Sequence, residues 1–190
     1  MIYLASNSSG RAELLQQINI PFTLVVGDIN ETLQQGEQAQ DYVLRLATQK
    51  AQAGFNNSPQ NKPVLGADTI IVLGQQVFEK PKNQRHAAQM LGLLSGKTHQ
   101  VFTAIALIDA KQIKTKMVIS EVTFRSLSKQ DITDYWATGE PHDKAAGYAI
   151  QGIAAKFVTH IAGSYSAIVG LPLYETDQLI IAFLGSTNGC

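Results

Sequence analysis

The sequence predicts a mixed α/β or α+β fold, built on a long twisted mixed sheet with helices on both sides. In the first half of the chain, short apolar runs alternate with amphipathic segments, which favours strands that alternate with helices. Two long β runs then follow one another, at residues 101–110 and 116–127. This hairpin argues against a purely doubly wound sheet, because parallel strands need long crossover connections. With 190 residues, 45% of them hydrophobic, the chain is expected to form one domain, or one domain with two lobes.

The first half of the chain carries start and stop signals for its elements. Residues 62–81, KPVLGADTIIVLGQQVFEKP, predict a buried strand, a turn at Gly74 and a return strand that stops at Pro81. A Ser95–Gly96 pair closes the third helix as a C-terminal cap. The predicted elements are, in order, a strand at 2–5, a helix from about 9 to 18, a strand at 22–26, a helix at 38–54, the hairpin at 62–81 and a helix at 84–94.

The second half of the chain adds the long hairpin, two short strands and two helices. In the run 116–127, Val122 and Phe124 alternate with polar residues, so one face of this strand is expected to be buried. Ser128 and Asp131 have the spacing of a capping box, which opens a short helix. The remaining predicted elements are short strands at 148–150 and 156–161, then a loop, and a last helix at 175–183.

The composition excludes some functional classes. Fifteen basic and fifteen acidic residues give no net charge, whereas a non-specific binder of nucleic acid or membrane surfaces needs a basic field. The single cysteine, Cys190, excludes an internal disulfide and a cysteine zinc site. No apolar run approaches the ~18–20 residues of a membrane span, and no signal pattern opens the sequence. We therefore expect a cytoplasmic protein with no nucleic-acid or membrane partner.

The opening stretch LASNSSGRAELL predicts the end of a strand, a polar turn and the start of a helix. The small residues from Ser6 to Gly10 leave backbone N–H groups exposed at the positive end of the helix dipole, which favours an anion. Arg11 adds a charged partner suited to phosphate oxygens. The alternative is that Ser9 only caps the helix and that Arg11 is solvated.

Two charged residues fall at positions that the apolar pattern predicts to be buried. Lys50 continues the apolar stripe of the second helix, so its ammonium group either extends to solvent at the helix end or reaches a buried anion. Asp68 interrupts the apolar run VLGADTIIVL. Because burying an unpaired charge is costly, Asp68 is expected to be paired, bound to a metal or at a strand end beside a cleft. The alternative is a structural bond to a backbone turn.

Further charges lie near the ends of the predicted strands. Glu31 follows the second strand in the stretch GDINET, and Glu79 and Lys80 end the returning strand of the hairpin. Carboxylates at neighbouring strand ends suit a hard cation such as Mg²⁺. The alternative for an isolated loop glutamate is plain solvation.

Several stretches in a fixed order resemble one family along nearly the whole chain. They are LASNSSGRAELL, DYVLRLATQKA, VLGADTIIVL, FEKP, AAQMLGLLSGKTHQVFTAIAL, VTFRSLS, DKAAGYAIQG and SYSAIVGLPLYE. The family is the Maf nucleotide pyrophosphatases. The resemblance implies hydrolysis of a nucleoside triphosphate to the monophosphate and pyrophosphate, with a divalent metal cation (Mg²⁺ or Mn²⁺). It also implies a fold similar to that of inosine triphosphatase, with two lobes around a central cleft, and a homodimer.

The resemblance also implies roles for individual residues. The stretches GADT and AAGYAIQG are similar to the subgroup that acts on dTTP and UTP, whereas the 7-methyl-GTP subgroup usually has Gln and Glu where this chain has Thr69 and Gln151. The resemblance marks Thr69, Gln151 and Arg11 as setting substrate choice and Asp68 as the catalytic acid or base. We expect phosphate to be bound by Ser6, Ser8, Arg11, Lys50 and Lys80, and the metal by Glu31 and Asp68.

One turn departs from the family pattern. The family normally has Ser-Pro-Arg-Arg where this chain has Ser8-Ser9-Gly10-Arg11, so a proline and a cation are missing. We expect this change to affect triphosphate affinity or rate more than reaction type. The open alternatives are a pyrophosphatase for 7-methyl-GTP or for a broad set of modified nucleotides, and a nucleotide-binding regulator of cell division with weak catalysis.

Overall fold

The computed structural model describes residues 1–185, so Cys190 lies outside the described residues. Within this range, seven strands form one mixed sheet, accompanied by six α-helices. The strands are β1 (Ile2–Ala5), β2 (Phe22–Val25), β3 (Val64–Leu73), β4 (Gln76–Phe78), β5 (Thr98–Ile108), β6 (Ile113–Phe124) and β7 (Val158–Ala162). The helices are α1 (Ser9–Gln17), α2 (Ala39–Asn56), α3 (Gln84–Leu94), α4 (Lys129–Ala137), α5 (Tyr165–Val169) and α6 (Leu173–Gly185). The predicted mixed α/β class is confirmed.

The strand order in the sheet is β2-β1-β3-β5-β6-β7, and β4 pairs with β3 outside this path. Strand β1 lies parallel to both β2 and β3, and the long connections that contain α1 and α2 make this possible. Strand β4 is antiparallel to β3, and a tight turn at Gly74 (φ +62°) joins them. The sheet is therefore parallel at β2-β1-β3, and it is antiparallel at the β3–β4 hairpin and between β6 and β7. None of the helices in residues 1–185 is long and apolar enough to cross a membrane.

The chain divides into two compact units. The first unit contains residues 1–68, residues 103–118 and the segment that begins at Gly170, and the second contains residues 69–102 and 119–169. The two lobes and the central cleft that the resemblance implies stay a prediction.

In the first unit, helix α2 packs closely on the sheet through small residues. A Cβ at Gly66 of β3 would lie 2.5 Å from the Ala47 carbonyl oxygen and would also meet the Ala51 backbone nitrogen. A Cβ at Gly54 would lie 2.6 Å from the Ala5 Cβ. Because neither glycine has a side chain, the backbone of α2 can approach β1 and β3 directly.

The second unit is built around a cluster of aromatic rings. Phe124 of β6 lies edge-on to Tyr148, with ring centroids 4.8 Å apart, and Tyr135 of α4 lies edge-on to Phe157 at 5.3 Å. Buried His99 joins the cluster through a 2.7 Å hydrogen bond between its Nε2 and the Tyr148 hydroxyl. These rings bury a large apolar area in the core of the second unit.

Most predicted elements are confirmed within one or two residues, whereas the two long strands β5 and β6 each begin three residues before the predicted position. Helix α3 has the predicted bounds, and Ser128 and Asp131 form the predicted capping box at the start of α4. Strand β7 begins at Val158 rather than 156, because residues Ile153–Phe157 form a 3₁₀ helix.

Two predictions for the second half of the chain are wrong. Residues 148–150 form no strand, and the segment lies between two short 3₁₀ helices. The apolar side chains of Tyr148 and Ile150 pack into the aromatic core, so their spacing does not reflect the two faces of a strand. Helix α5 occupies residues predicted as loop, and the Ser164 hydroxyl caps it by accepting a 3.2 Å hydrogen bond from the Ala167 N–H. Helix α6 begins at Leu173, within two residues of its predicted start, and this prediction is confirmed.

Candidate active site

A lysine and two carboxylates form the centre of the charged site in the first unit. The Nζ of Lys50 lies 2.5 Å from Oδ1 of Asp68 and 2.7 Å from Oε1 of Glu31. Asp68 is only 6% exposed, and 13% of the Lys50 side chain is exposed. Of the two alternatives for Lys50, the structure shows the second, in which the ammonium group reaches a buried anion. Asp68 is paired, as the cost of burying a lone charge predicts.

The backbone contact between α2 and β3 positions this ion pair. Gly66 precedes Asp68 by two residues, and it touches α2 at Ala47 and Ala51, on either side of Lys50. The contact therefore sets the distance from the helix to the strand at the level where Lys50 meets Asp68. Glu31 is brought to the same lysine by its loop, whose backbone carbonyl at Glu31 accepts a 2.6 Å hydrogen bond from the Tyr42 hydroxyl.

The electrostatic environment of Asp68 differs from that of a surface carboxylate. Burial raises the pKa of the Asp68 carboxyl above its ordinary value, and the charges of Lys50 and Arg11 offset only part of this rise. Desolvation in turn lowers the pKa of the Arg11 guanidinium, while the charges of Asp68 and Glu31 oppose that shift. Arg11 and Asp68 thus interact through their charges although they are far apart in the sequence. A raised carboxyl pKa brings the group nearer to neutral pH, where a general base works best.

The polar turn between β1 and α1 is ordered by its own serines. The Ser8 hydroxyl caps α1 by accepting a 3.5 Å hydrogen bond from the Arg11 N–H. The alternative interpretation, in which Ser9 caps the helix, is therefore wrong. The Ser6 hydroxyl accepts hydrogen bonds from the Ser8 N–H at 3.1 Å and from Nη1 of Arg11 at 3.4 Å. The Nε of Arg11 donates to the Gly170 carbonyl oxygen at 2.8 Å. The turn therefore presents the first amides of α1 and the Arg11 guanidinium together, and Arg11 is not simply solvated.

Three of the predicted site residues belong to the second unit. Thr69 directly follows Asp68 along β3 and is half-buried, whereas Lys80 and Gln151 are exposed. The Glu79 carbonyl oxygen accepts a 3.0 Å hydrogen bond from the Ala146 N–H, which joins the segment that carries Lys80 to the turn that precedes Gln151. Ala146 has a positive φ of 52°, which is a strained conformation for alanine.

Comparison with known proteins shows the family. A family model described as Maf-like protein matches residues 1–183. The chain belongs to the Maf family. The family resemblance that the sequence motifs carry is thereby confirmed.

Named relatives of this Maf protein are similar over nearly their whole length. The chain is 55% identical over 183 residues to the dTTP/UTP pyrophosphatase of Pseudoalteromonas atlantica, with 95% of each chain covered. It is 56% identical over 182 residues to the dTTP/UTP pyrophosphatase of Salmonella typhimurium, covering 96% of this chain and 92% of that one. Among solved structures, the Staphylococcus aureus Ham1 protein is similar at a TM-score of 0.44 and 16% identity, over 67% of this chain and 71% of that one.

The Maf site offers two carboxylates to a cation. In residues 1–185, no group of three or more His, Cys, Asp or Glu side chains has the arrangement of a metal site. Glu31 and Asp68, however, meet at one ammonium group, so their oxygens lie close together. Mg²⁺ is commonly bound by one or two carboxylates together with substrate phosphates, so this donor set fits such a cation.

Gly66 is a positioning residue of this Maf protein that was not among the predicted site residues. An isolated glycine inside an apolar strand is a known signal for close backbone approach, and VLGADTIIVL contains one. The signal does not say which helix approaches, and only the structure identifies α2.

Proposed function

We propose that this Maf protein hydrolyses nucleoside triphosphates to the monophosphate and pyrophosphate, with dTTP and UTP as substrates. The observation that carries the proposal is the cluster of Glu31, Lys50 and Asp68, with the Arg11 charge acting on it. The names of the relatives, at 55 and 56% identity, support the same reaction and the same substrates. The roles of Thr69, Lys80 and Gln151 rest on the family resemblance.

Asp68 is proposed as the general base. Its carboxylate takes a proton from water, whose oxygen forms a bond to the α-phosphorus while the bond from that phosphorus to the bridging oxygen breaks. Pyrophosphate leaves with the electron pair of the broken bond. Lys50 holds the carboxylate in place through their 2.5 Å contact and faces the negative charge of the substrate.

The phosphate chain is proposed to lie at the start of α1. Ser6, Ser8 and the first amides of α1 supply hydrogen-bond donors, and Arg11 supplies a charge. Arg11 now donates to the neutral Gly170 carbonyl oxygen. A phosphate oxygen is a stronger acceptor than a carbonyl oxygen, because the bond is charge-assisted on both sides.

Glu31 and Asp68 are proposed to bind the divalent cation, Mg²⁺ or Mn²⁺. When bound, the cation supplies neutralisation of phosphate charge. Each carboxylate has a second oxygen besides the one that contacts Lys50. Lys50 and a cation can therefore contact the same two carboxylates at the same time. Lys50 in turn keeps the two carboxylates from repelling each other when no cation is present.

The proposed function is tested with a panel of triphosphates and an assay for released pyrophosphate. We expect turnover of UTP and dTTP with Mg²⁺ or Mn²⁺, and slower turnover of 7-methyl-GTP and of other triphosphates. Asp68→Asn should keep the fold, because asparagine has nearly the same shape and no charge to bury. It should lower turnover by about 10²- to 10⁴-fold, the usual contribution of a general base.

The matched control is Asp177→Asn, which makes the same change at an exposed position on α6 and should keep wild-type turnover. Activity of Asp68→Asn near that of the control would remove Asp68 from the mechanism. Tight nucleotide binding without turnover, in the wild-type protein, would favour the regulatory alternative instead.

A further inference from the structure

A tyrosine and a glutamate in the second unit bind the backbone around Gln151. The Tyr135 hydroxyl donates a 2.7 Å hydrogen bond to Oε1 of Glu140 and accepts a 3.3 Å bond from the Ala149 N–H. Oε2 of Glu140 accepts a 2.8 Å bond from the Ile153 N–H, and Oε1 accepts a 3.3 Å bond from the Ala154 N–H. The Tyr135–Glu140 pair, called the clamp below, therefore contacts the chain on both sides of Gln151.

The contact between the clamp and the chain is tight at Gly152. A Cβ at Gly152 would overlap both carboxylate oxygens of Glu140. The carboxylate thus lies directly against the backbone, in space that any other residue would fill. Tyr135 of α4 is fully buried in the aromatic core, so packing on all sides holds this half of the clamp in place.

The segment needs this support because it has no other regular structure. Residues 148–152 belong to no strand or helix, and the Gly152 N–H donates to the Ala149 carbonyl oxygen at 3.1 Å in a local turn. Backbone N–H groups outside regular structure need other acceptors, and the clamp accepts three hydrogen bonds from the N–H groups of residues 149–154. A side chain on an irregular segment is placed accurately only when its backbone is held in this way.

We infer that the clamp positions Gln151 and thereby sets the preference for uracil and thymine over cytosine. This inference rests on the proposed function, in which Gln151 recognises the pyrimidine. Uracil and thymine present an acceptor at O4 and a donor at N3, whereas cytosine presents a donor at N4 and an acceptor at N3. The Gln151 amide has both a donor and an acceptor, so it can match either base. Which end of the amide, the oxygen or the NH₂ group, faces each base position must then decide between them, and the clamp fixes the backbone from which the amide extends.

The test compares kcat/KM for UTP and CTP in Tyr135→Phe and Glu140→Gln. Phenylalanine keeps the ring in the core and removes the hydroxyl that bonds Glu140 and Ala149. Glutamine keeps the shape of Glu140 but replaces one accepting oxygen with an NH₂ donor, which opposes a backbone N–H. We expect the ratio of UTP to CTP to fall at least about tenfold in both variants, since small displacements of a positioning group have large effects on rate. Faster amide exchange at Ile153 should accompany this loss in Glu140→Gln.

Ser128→Ala is the matched control, because it removes the N-cap of the same helix without touching the clamp. It should keep the wild-type ratio even if it lowers stability, so a loss confined to the clamp variants is not a general effect of destabilising α4.

A second comparison, Gln151→Ala, separates the positioning role of the clamp from base recognition by Gln151. If Gln151→Ala lowers the ratio while both clamp variants keep it, the clamp has no positioning role and the proposed function stands. If the wild-type protein shows no preference for UTP, or if Gln151→Ala keeps it, the assignment of base recognition to Gln151 fails, and the inference fails with it.

Discussion

Adding one methyl group at Gly66 should separate Lys50 from Asp68. In Gly66→Ala, the new Cβ would lie 2.5 Å from the Ala47 carbonyl oxygen, whereas ordinary contacts begin near 3.4 Å. The opposing atoms belong to the backbone of α2 and cannot rotate away. The helix must therefore move back from β3 by about 1 Å, the difference between these distances. Because Lys50 lies on the same turn of α2, its 2.5 Å contact with Asp68 lengthens by a similar amount.

Both stability and activity should report this displacement. Overpacking of this kind costs about 1 to 3 kcal/mol of unfolding free energy. For a chain of this size, that loss lowers the thermal midpoint by roughly 2 to 12 °C. A misplacement of about 1 Å in a catalytic group lowers kcat/KM about 10²-fold. Thermal unfolding followed by circular dichroism and UTP turnover followed by pyrophosphate release measure the two effects.

Gly92→Ala is the matched control for this prediction. Gly92 lies within helix α3, and a Cβ there would meet no atom within 4 Å. The same substitution should raise stability by about 1 kcal/mol, because alanine favours a helix more than glycine does. The two variants should therefore shift the thermal midpoint in opposite directions. Wild-type stability and turnover in Gly66→Ala would refute the argument that this contact positions Lys50.

Two further predictions concern the pH dependence of stability and the arginine that the family turn has but this chain lacks. Burial lowers the pKa of His99 to about 4 from 6.5, so between these values the native state binds fewer protons than the unfolded chain. The unfolding free energy should then fall by roughly 3 kcal/mol as the pH drops from about 6.5 to about 4. Urea titrations at several pH values should show that His99→Gln removes this pH dependence. A His99→Gln protein that keeps the pH dependence would contradict its assignment to His99. Gly10→Arg should lower the KM for UTP and increase its salt dependence, because it adds a phosphate-binding charge at the start of α1, whereas Gln17→Arg at the other end of that helix should not. Equal kinetic effects of the two arginines would show that position on the helix is unimportant.

Local signals in the sequence predicted the regular elements well. The capping box at Ser128 and the apolar spacing of α3 depend on residues only three or four positions apart, and both predictions are confirmed. The prediction of a strand at 148–150 was wrong because Tyr148 is buried for a different reason. Its ring packs among aromatic rings from distant segments and not on one face of a sheet. Periodicity cannot distinguish these causes in so short a stretch.

Residue order and local pattern were enough to predict the family, the mixed fold class and the burial of the charged residues Lys50 and Asp68. The folded structure was needed to show that Lys50 bridges Asp68 and Glu31, and that α2 packs against β3 at Gly66. It alone also revealed the contacts of Glu140 with the chain beyond Gln151. Such contacts join residues that are far apart in the chain. Their distances depend on how closely the backbones can pack, and no local pattern of side chains specifies this.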